Sequence, residues 1–229
     1  MCGRYSLITP TEALRQLMAF MDLLNLEPRY NVAPTQMMPV VRPEEGGRRR
    51  LVLLRWGLIP SWAKDATIGA KCINARTESV AEKPAFRTAL RQRRCLVLAD
   101  GYYEWRQEGK AKQPYRIVLK AGGPFAIAGI WEGWRSPAGE PIESFALITT
   151  VAGEDIAHIH DRMPVILAPE DYALWLDPDP AQLPRQLELL RPSPKGLISA
   201  YAVSMRVNFV RNDDEECIRP AAPAAPTLF

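Results

Sequence analysis

Apolar residues recur at helical spacing in one long stretch near the start of the chain. Leu14, Leu17, Met18, Met21 and Leu24 follow Thr9-Pro10-Thr11-Glu12, a capping-box spacing with proline at the first helical position. The pattern predicts a helix over about residues 10 to 24. After it the apolar runs become short and strand-like, divided by turn residues: MMPVV (37 to 41), RLVLLRW (50 to 56), RCLVLAD (94 to 100), PYRIVLK (114 to 120), PFAIAGIW (124 to 131), ESFALITT (143 to 150), MPVIL (163 to 167) and ISAYAVS (198 to 204). Shorter helices are predicted around 84 to 92, 153 to 158, 169 to 176 and 180 to 190. So many strands exclude a helical bundle, and the lack of regular strand-helix alternation argues against a doubly wound parallel sheet. The expected fold is α+β: a mixed, largely antiparallel, partly closed β-sheet core with peripheral helices. One domain is expected over residues 1 to 218, followed by a Pro/Ala-rich tail at 219 to 229.

Composition sharpens this only at proline. The chain has 229 residues with 47% apolar and 24% charged side chains, ordinary for a globular domain, but 21 prolines, well above the usual ~5%. That count implies many fixed turns and short helices. No apolar run approaches the ~18 residues that span a bilayer, and the first residues lack a secretory signal's basic start and apolar block. A soluble, cytoplasmic protein without a membrane partner is expected. The net charge of +3, from 29 basic and 26 acidic side chains, neither establishes nor excludes a nucleic-acid partner.

The candidate chemistry starts at the second residue of MCGRYS. If Met1 is removed, Cys2 carries a thiol and the α-amino group on one residue, and an α-amine with a pKa near ~7.7 to 8.0 is partly unprotonated at neutral pH. Two reactions suit the pair. The amine can act as base for a thiol that attacks an amide, or it can condense with an aldehyde to an imine on which the thiol closes, giving a thiazolidine. Cys72 and Cys95 sit in apolar or strand-like contexts, and Cys217 follows four acidic residues that would suppress its thiolate.

Both histidines, His158 and His160, stand in AHIHDRMP. A metal site needs further ligands at suitable spacing, which are missing, so neither a metal nor a cofactor is expected. An acid/base or phosphate-contacting role for His160 suits the adjacent Asp161 and Arg162, whereas His158 reads as a turn residue. In DGYYEW the aromatic neighbours of Glu104 would desolvate its carboxyl and raise its pKa, although the phrase also fits an aromatic edge strand. INARTE offers an amide, Asn74, and a cation, Arg76, on one side of an extended segment. RWGLIPSWAK holds two tryptophans that could stack bases or fill the core. The basic run at 83, 87, 91, 93 and 94 fits a phosphate track or a solvated helix face.

Together MCGRYS, RYNVAPTQ, RWGLIPSW, INARTE, LADGYYEW, HDRMP and VSMRVNFVRND, in this order from residue 2 to about 218, resemble the SRAP family, the SOS-response-associated peptidases or abasic-site processing proteins. Phe209, where many members are expected to be polar, departs from the pattern, and no role is assigned to it. The resemblance implies binding to single-stranded DNA and capture of the ring-opened aldehyde of an abasic site on Cys2 as a thiazolidine, after loss of Met1. It further implies that Asn74 positions amine and sugar, that Glu104 is the acid/base in sugar opening and imine chemistry, and that His160 moves protons at the sugar oxygen. Arg76, Arg162 and Arg4 would hold phosphates, and Trp62 and Pro34 would pack against unstacked DNA. A monomer is expected. Two other classes are an N-terminal-nucleophile glutamine amidotransferase, for which no glutamine-pocket motif is present, and a non-catalytic single-strand binding module, which would be indifferent to Cys2.

Overall fold

A computed structural model gives the structure of residues 2–22 and 24–221. Met1 and the tail from residue 222 on lie outside the described residues. In chain order the elements are β1 (Tyr5–Leu7), α1 (Thr11–Met18), β2 (Arg29–Val32), β3 (Met37–Pro43), β4 (Arg49–Trp56), β5 (Asn74–Arg76), α2 (Arg87–Gln92), β6 (Arg94–Ala99), β7 (Gly101–Glu108), β8 (Ala111–Leu119), β9 (Phe125–Arg135), β10 (Pro141–Val151), β11 (Arg162–Pro164), β12 (Ile166–Leu167), α3 (Tyr172–Leu176), α4 (Leu183–Glu188) and β13 (Ile198–Ala202).

Strands β4, β3, β6, β9 and β10 pair in that order, and β10 returns to β4 through a short parallel contact, so five strands close into a ring. The expected α+β fold with a partly closed sheet is therefore the one observed. A second sheet has the order β13-β8-β7-β1-β2 and is antiparallel throughout. Every residue of β6 is buried, the burial expected of a continuous apolar run covered on both faces. Alternation assigns the two faces of the ring to different partners. Cys95, Val97, Ile127, Phe145 and Leu147 pack with Tyr5, Tyr102 and Ile117 of the second sheet. Leu96, Leu98, Ala128 and Ile148 pack with Leu14 and Met18 of α1, Leu90 of α2 and Trp175 of α3.

The first helix is shorter than its apolar spacing predicts. It ends at Ala19, which adopts the left-handed conformation (φ 54) with its N–H on Arg15 O. Its predicted capping box does not form, because Thr9 Oγ1 and N–H both donate to Asp100 Oδ2 (3.1 and 3.0 Å). Asp100, buried and paired with Arg116 (3.0 Å), also accepts from Ser6 Oγ (2.8 Å), and so fixes β1 against β7. Residues 154 to 159 form consecutive turns where a helix is expected over 153 to 158, and the predicted helices at 169 to 176 and 180 to 190 each begin with a 3-10 turn whose first residue is proline. MPVIL divides between β11, paired with β10, and β12, paired with β9.

Candidate active site and nucleic-acid interface

The register of the second sheet brings the start of the chain to DGYYEW. Tyr5 lies opposite Tyr102 on β7, and Tyr103 N–H donates to Arg4 O (3.0 Å). Continuing that antiparallel register carries Cys2 toward Glu104 and Trp105. β7 is flanked by β1 and β8, so DGYYEW is an interior strand and not an edge. Gly101 suits this place because a Cβ there would lie 2.7 Å from Arg116 Nε, the guanidinium that pairs with Asp100. Gly109, in the left-handed region (φ 57), closes the two-residue turn that brings β8 and Lys112 back beside β7.

Asn74 reaches the same point from the ring. β5 runs parallel to β10, with Asn74 opposite Leu147, and its Nδ2 donates to Cys2 O (2.8 Å). Asn74 is buried, and its Oδ1 has no hydrogen-bond partner, so an acceptor is left beside residue 2. The Cys2 thiol points inward, buried among Tyr5, Trp56 and Tyr102, with Sγ 3.6 Å from Arg4 O. Burial, reinforced by the Glu104 carboxylate, pushes its pKa far above the ordinary thiol range.

Glu104 is buried, and that burial pushes its pKa up to about 7. Its Oε2 lies 3.7 Å from His160 Nε2. Arg162 N–H donates to His160 Nδ1 (3.0 Å), which requires a lone pair there and leaves the proton of the neutral ring on Nε2, facing Glu104. The exposed Asp161 carboxylate also approaches Nδ1 (2.9 Å), but desolvation of the ring dominates and His160 titrates below its ordinary value. An open depression of about 500 Å³ lies over this pair, lined by Glu104, Trp105, Lys112, His160 and Asn208. Cys2, Asn74, Glu104 and His160 thus converge, although they come from four separate segments.

The expected DNA-contacting residues fare differently. Arg76 is exposed on β5, and Trp62 is 58% exposed on the loop after β4, whereas Trp56 is core, stacked on Phe145. Pro34 is half-buried in the turn between β2 and β3, next to Thr35, a β-branched residue held at φ 75. Arg162 is 8% exposed and gives its guanidinium to both carboxylate oxygens of Glu78 and to Thr149 O (2.7 Å). The phosphate expected there would have to displace Glu78. Arg4 likewise holds protein: its Nη1 donates to Asn31 Oδ1 (2.9 Å) and Val207 O (2.7 Å). The basic run also divides, since Arg94 is buried against the carbonyls of Trp175 and Leu90 while Arg93 pairs with Glu132.

His158 is exposed and His160 half-buried, and both lie outside the strands. Among the described residues no group of His, Cys, Asp and Glu has the arrangement of a metal site, and no helix is long and apolar enough to cross a membrane. All four cysteines are free. For Cys217, burial is the first cause of the raised pKa, with the nearby acidic residues secondary.

The sequence assigned nothing to Asn31, Lys112 or Asn208, and to Trp105 only a part in desolvating Glu104. Trp105 Nε1 donates to Asn208 Oδ1 (2.7 Å), and Asn31 Nδ2 bonds the carbonyls of Val207, Phe209 and Asn212, so RYNV and VNFVRND are joined across the molecule. Only their presence as short polar blocks hinted at this, because neither carries a periodic pattern.

Comparison with known proteins agrees with this arrangement. Residues 1–210 match the family described as SOS response associated peptidase (SRAP). The chain is 42% identical over 222 residues to the abasic site processing protein YoqW of Bacillus subtilis, covering 95% of this chain and 99% of that one. It is 32% identical to the abasic site processing protein HMCES of Gallus gallus, covering 99% and 80% respectively. A crystal structure of a protein from Bacteroides thetaiotaomicron superposes with a TM-score of 0.85 at 29% identity, over 96% of this chain and 100% of that one. By the extent of these matches, the chain belongs to the SRAP family.

Proposed function

We propose that this protein processes abasic sites in single-stranded DNA by trapping the ring-opened sugar covalently on Cys2 once Met1 has been removed. The observation that carries this reading is the Asn74 Nδ2 hydrogen bond to Cys2 O, 2.8 Å long. It ties the backbone of residue 2 to β5, and the Glu104 carboxylate is near enough to act on the Cys2 thiol, which supports a site shared by residue 2, Glu104 and His160.

The order of steps follows from the electrostatics. The thiol is buried and protonated, so the amine reacts first: it adds to the aldehyde carbon, a proton passes to the hydroxyl, and water leaves to give the imine. The thiol then adds across the C=N bond, its proton ending on nitrogen, and the thiazolidine closes with a net loss of one water. Glu104, with a pKa of about 7, is populated in both protonation states near neutrality and serves as the acid that opens the closed sugar and assists water loss. His160, with its proton on Nε2, relays protons at the sugar oxygen, and Asn74 Oδ1 accepts from the amine or a sugar hydroxyl. Arg76 and Trp62, both exposed, are suited to a phosphate and an unstacked base. An abasic site in a single strand is reached without the cost of unpairing a base.

Intact-mass measurement of the protein mixed with a single strand containing one abasic site tests this. The expected species has lost Met1 and carries the DNA less one water. Equal amounts of heat-stable adduct from wild type and Cys2→Ala would overturn the assignment in favour of a lysine, and no heat-stable adduct from wild type would leave a purely non-covalent binder.

A further inference from the structure

The segment after β13 combines a firmly held backbone with exposed apolar side chains. Arg4 and Asn31 clamp Val207 O, and Asn31 also holds the carbonyls of Phe209 and Asn212. Asp213 accepts from Arg29 Nε (2.6 Å) and from the N–H groups of Tyr30 and Asn31. The clamping residues belong to β2 and to the stretch just after Cys2, so this ledge is fixed relative to the candidate nucleophile. Yet Met205, Phe209 and Val210 are 47%, 60% and 45% exposed. Three exposed apolar side chains within six residues of a firmly held backbone contribute nothing to the core and are available to a ligand.

Its position selects the partner. Asn208 lines the depression over Glu104 and His160, and Phe209 is the next residue along the ledge. One cation stands on the ring, the Arg211 guanidinium 5.8 Å from the Phe209 ring centroid, and a second, Lys112, lines the same depression as Asn208. An exposed aromatic ring with a guanidinium on it, one residue along the chain from the wall of the reactive depression, is suited to a base and its flanking phosphate in single strands. A nucleotide beside an abasic site also lacks one of its normal stacking neighbours, so an aromatic face there replaces a contact the lesion has removed.

We propose that Phe209 is a stacking platform for the nucleobase adjacent to the lesion, with Arg211 and Lys112 holding phosphates on that side. The inference rests on the single-stranded DNA reading given above and adds a specificity element to it. The larger π-face of a purine at that neighbouring position should bind more tightly than a pyrimidine.

The test uses single strands carrying a tetrahydrofuran abasic analogue, which cannot open to an aldehyde, so that only non-covalent affinity is read. Phe209→Ala should weaken binding by about five- to a hundredfold, the range of one lost base-aromatic stack, and Phe209→Trp should retain it. Removing the neighbouring base on one side of the analogue should weaken wild-type binding by a similar factor while leaving Phe209→Ala unaffected; strands lacking the base on each side in turn identify which. Equal affinity of Phe209→Ala and wild type overturns the proposal. So does a Phe209→Ala loss of the same size on strands lacking either neighbouring base, which would make Phe209 a contact to the backbone or a structural residue rather than a base platform. Crosslinking of wild type to the natural aldehyde lesion is measured in parallel: its absence defeats the reading of the function itself, whereas crosslinking with Phe209-independent binding defeats this inference alone.

Discussion

The side chain of Asn74 donates to the main-chain oxygen of Cys2 over 2.8 Å, so a residue on β5, the strand paired beside β10 of the ring, fixes the start of the chain that enters from the other sheet. Replacing the amide by a carboxylate turns this donor into a second acceptor facing a carbonyl. Asn74→Asp is expected to slow adduct formation by about a hundredfold, the scale of misplaced reacting groups, with little loss of DNA affinity. Single-turnover crosslinking against anisotropy separates the two.

The pH dependence of crosslinking should be bell-shaped. The rising limb is deprotonation of the α-amine, near ~7.7 to 8.0 for an unperturbed group. The falling limb is loss of the Glu104 proton, whose pKa burial has pushed up to about 7, so the acid form fades as pH climbs past neutrality. Glu104→Gln removes the falling limb and slows the reaction by ~10² or more. A profile of unchanged shape in that variant would remove Glu104 from the proton transfers.

His160→Ala should slow formation less than Glu104→Gln and should impair reversal more, since reopening the thiazolidine needs a proton at a departing atom. Release of DNA from the finished adduct into excess competing aldehyde measures this. Reversal at the wild-type rate would confine His160 to orienting the loop through its contact with Arg162 N–H.

Arg76 and Arg162 should separate in their behaviour. Arg76→Ala is expected to lower the log-log salt slope of single-strand binding by about 0.7, the share of one phosphate contact. Arg162→Ala breaks an ion pair of which only the arginine is buried, together with its hydrogen bond to Thr149 O, and should cost stability, on the order of 1 to 3 kcal/mol, read as a fall in melting temperature of about 2 to 4 °C per kcal/mol for a chain of this size. The Arg162 guanidinium depresses Glu78 to about 2, so the pair's contribution is present above the ordinary carboxylate pKa and is lost as pH falls toward 2. Because Glu78 is half exposed, the pH effect will be small. A salt slope reduced in Arg162→Ala without a stability loss would return Arg162 to the DNA.

The sequence by itself determined the fold class and the chemistry available. Its short apolar runs without helical alternation led to a mixed, partly closed sheet, and the aminothiol potential of Cys2 and the aromatic setting of Glu104 were legible because local neighbours create both. The tertiary structure decided what distance in sequence conceals. Ring closure through β10, the register that carries Cys2 toward Glu104, and the meeting of Asn74 with Cys2 depend on pairings between remote strands, which residue patterns do not specify. The same limit explains the arginines. A guanidinium suits a phosphate and a carboxylate equally well, and only the fold, by placing Glu78 against Arg162 and Val207 O against Arg4, shows that these two are engaged within the protein.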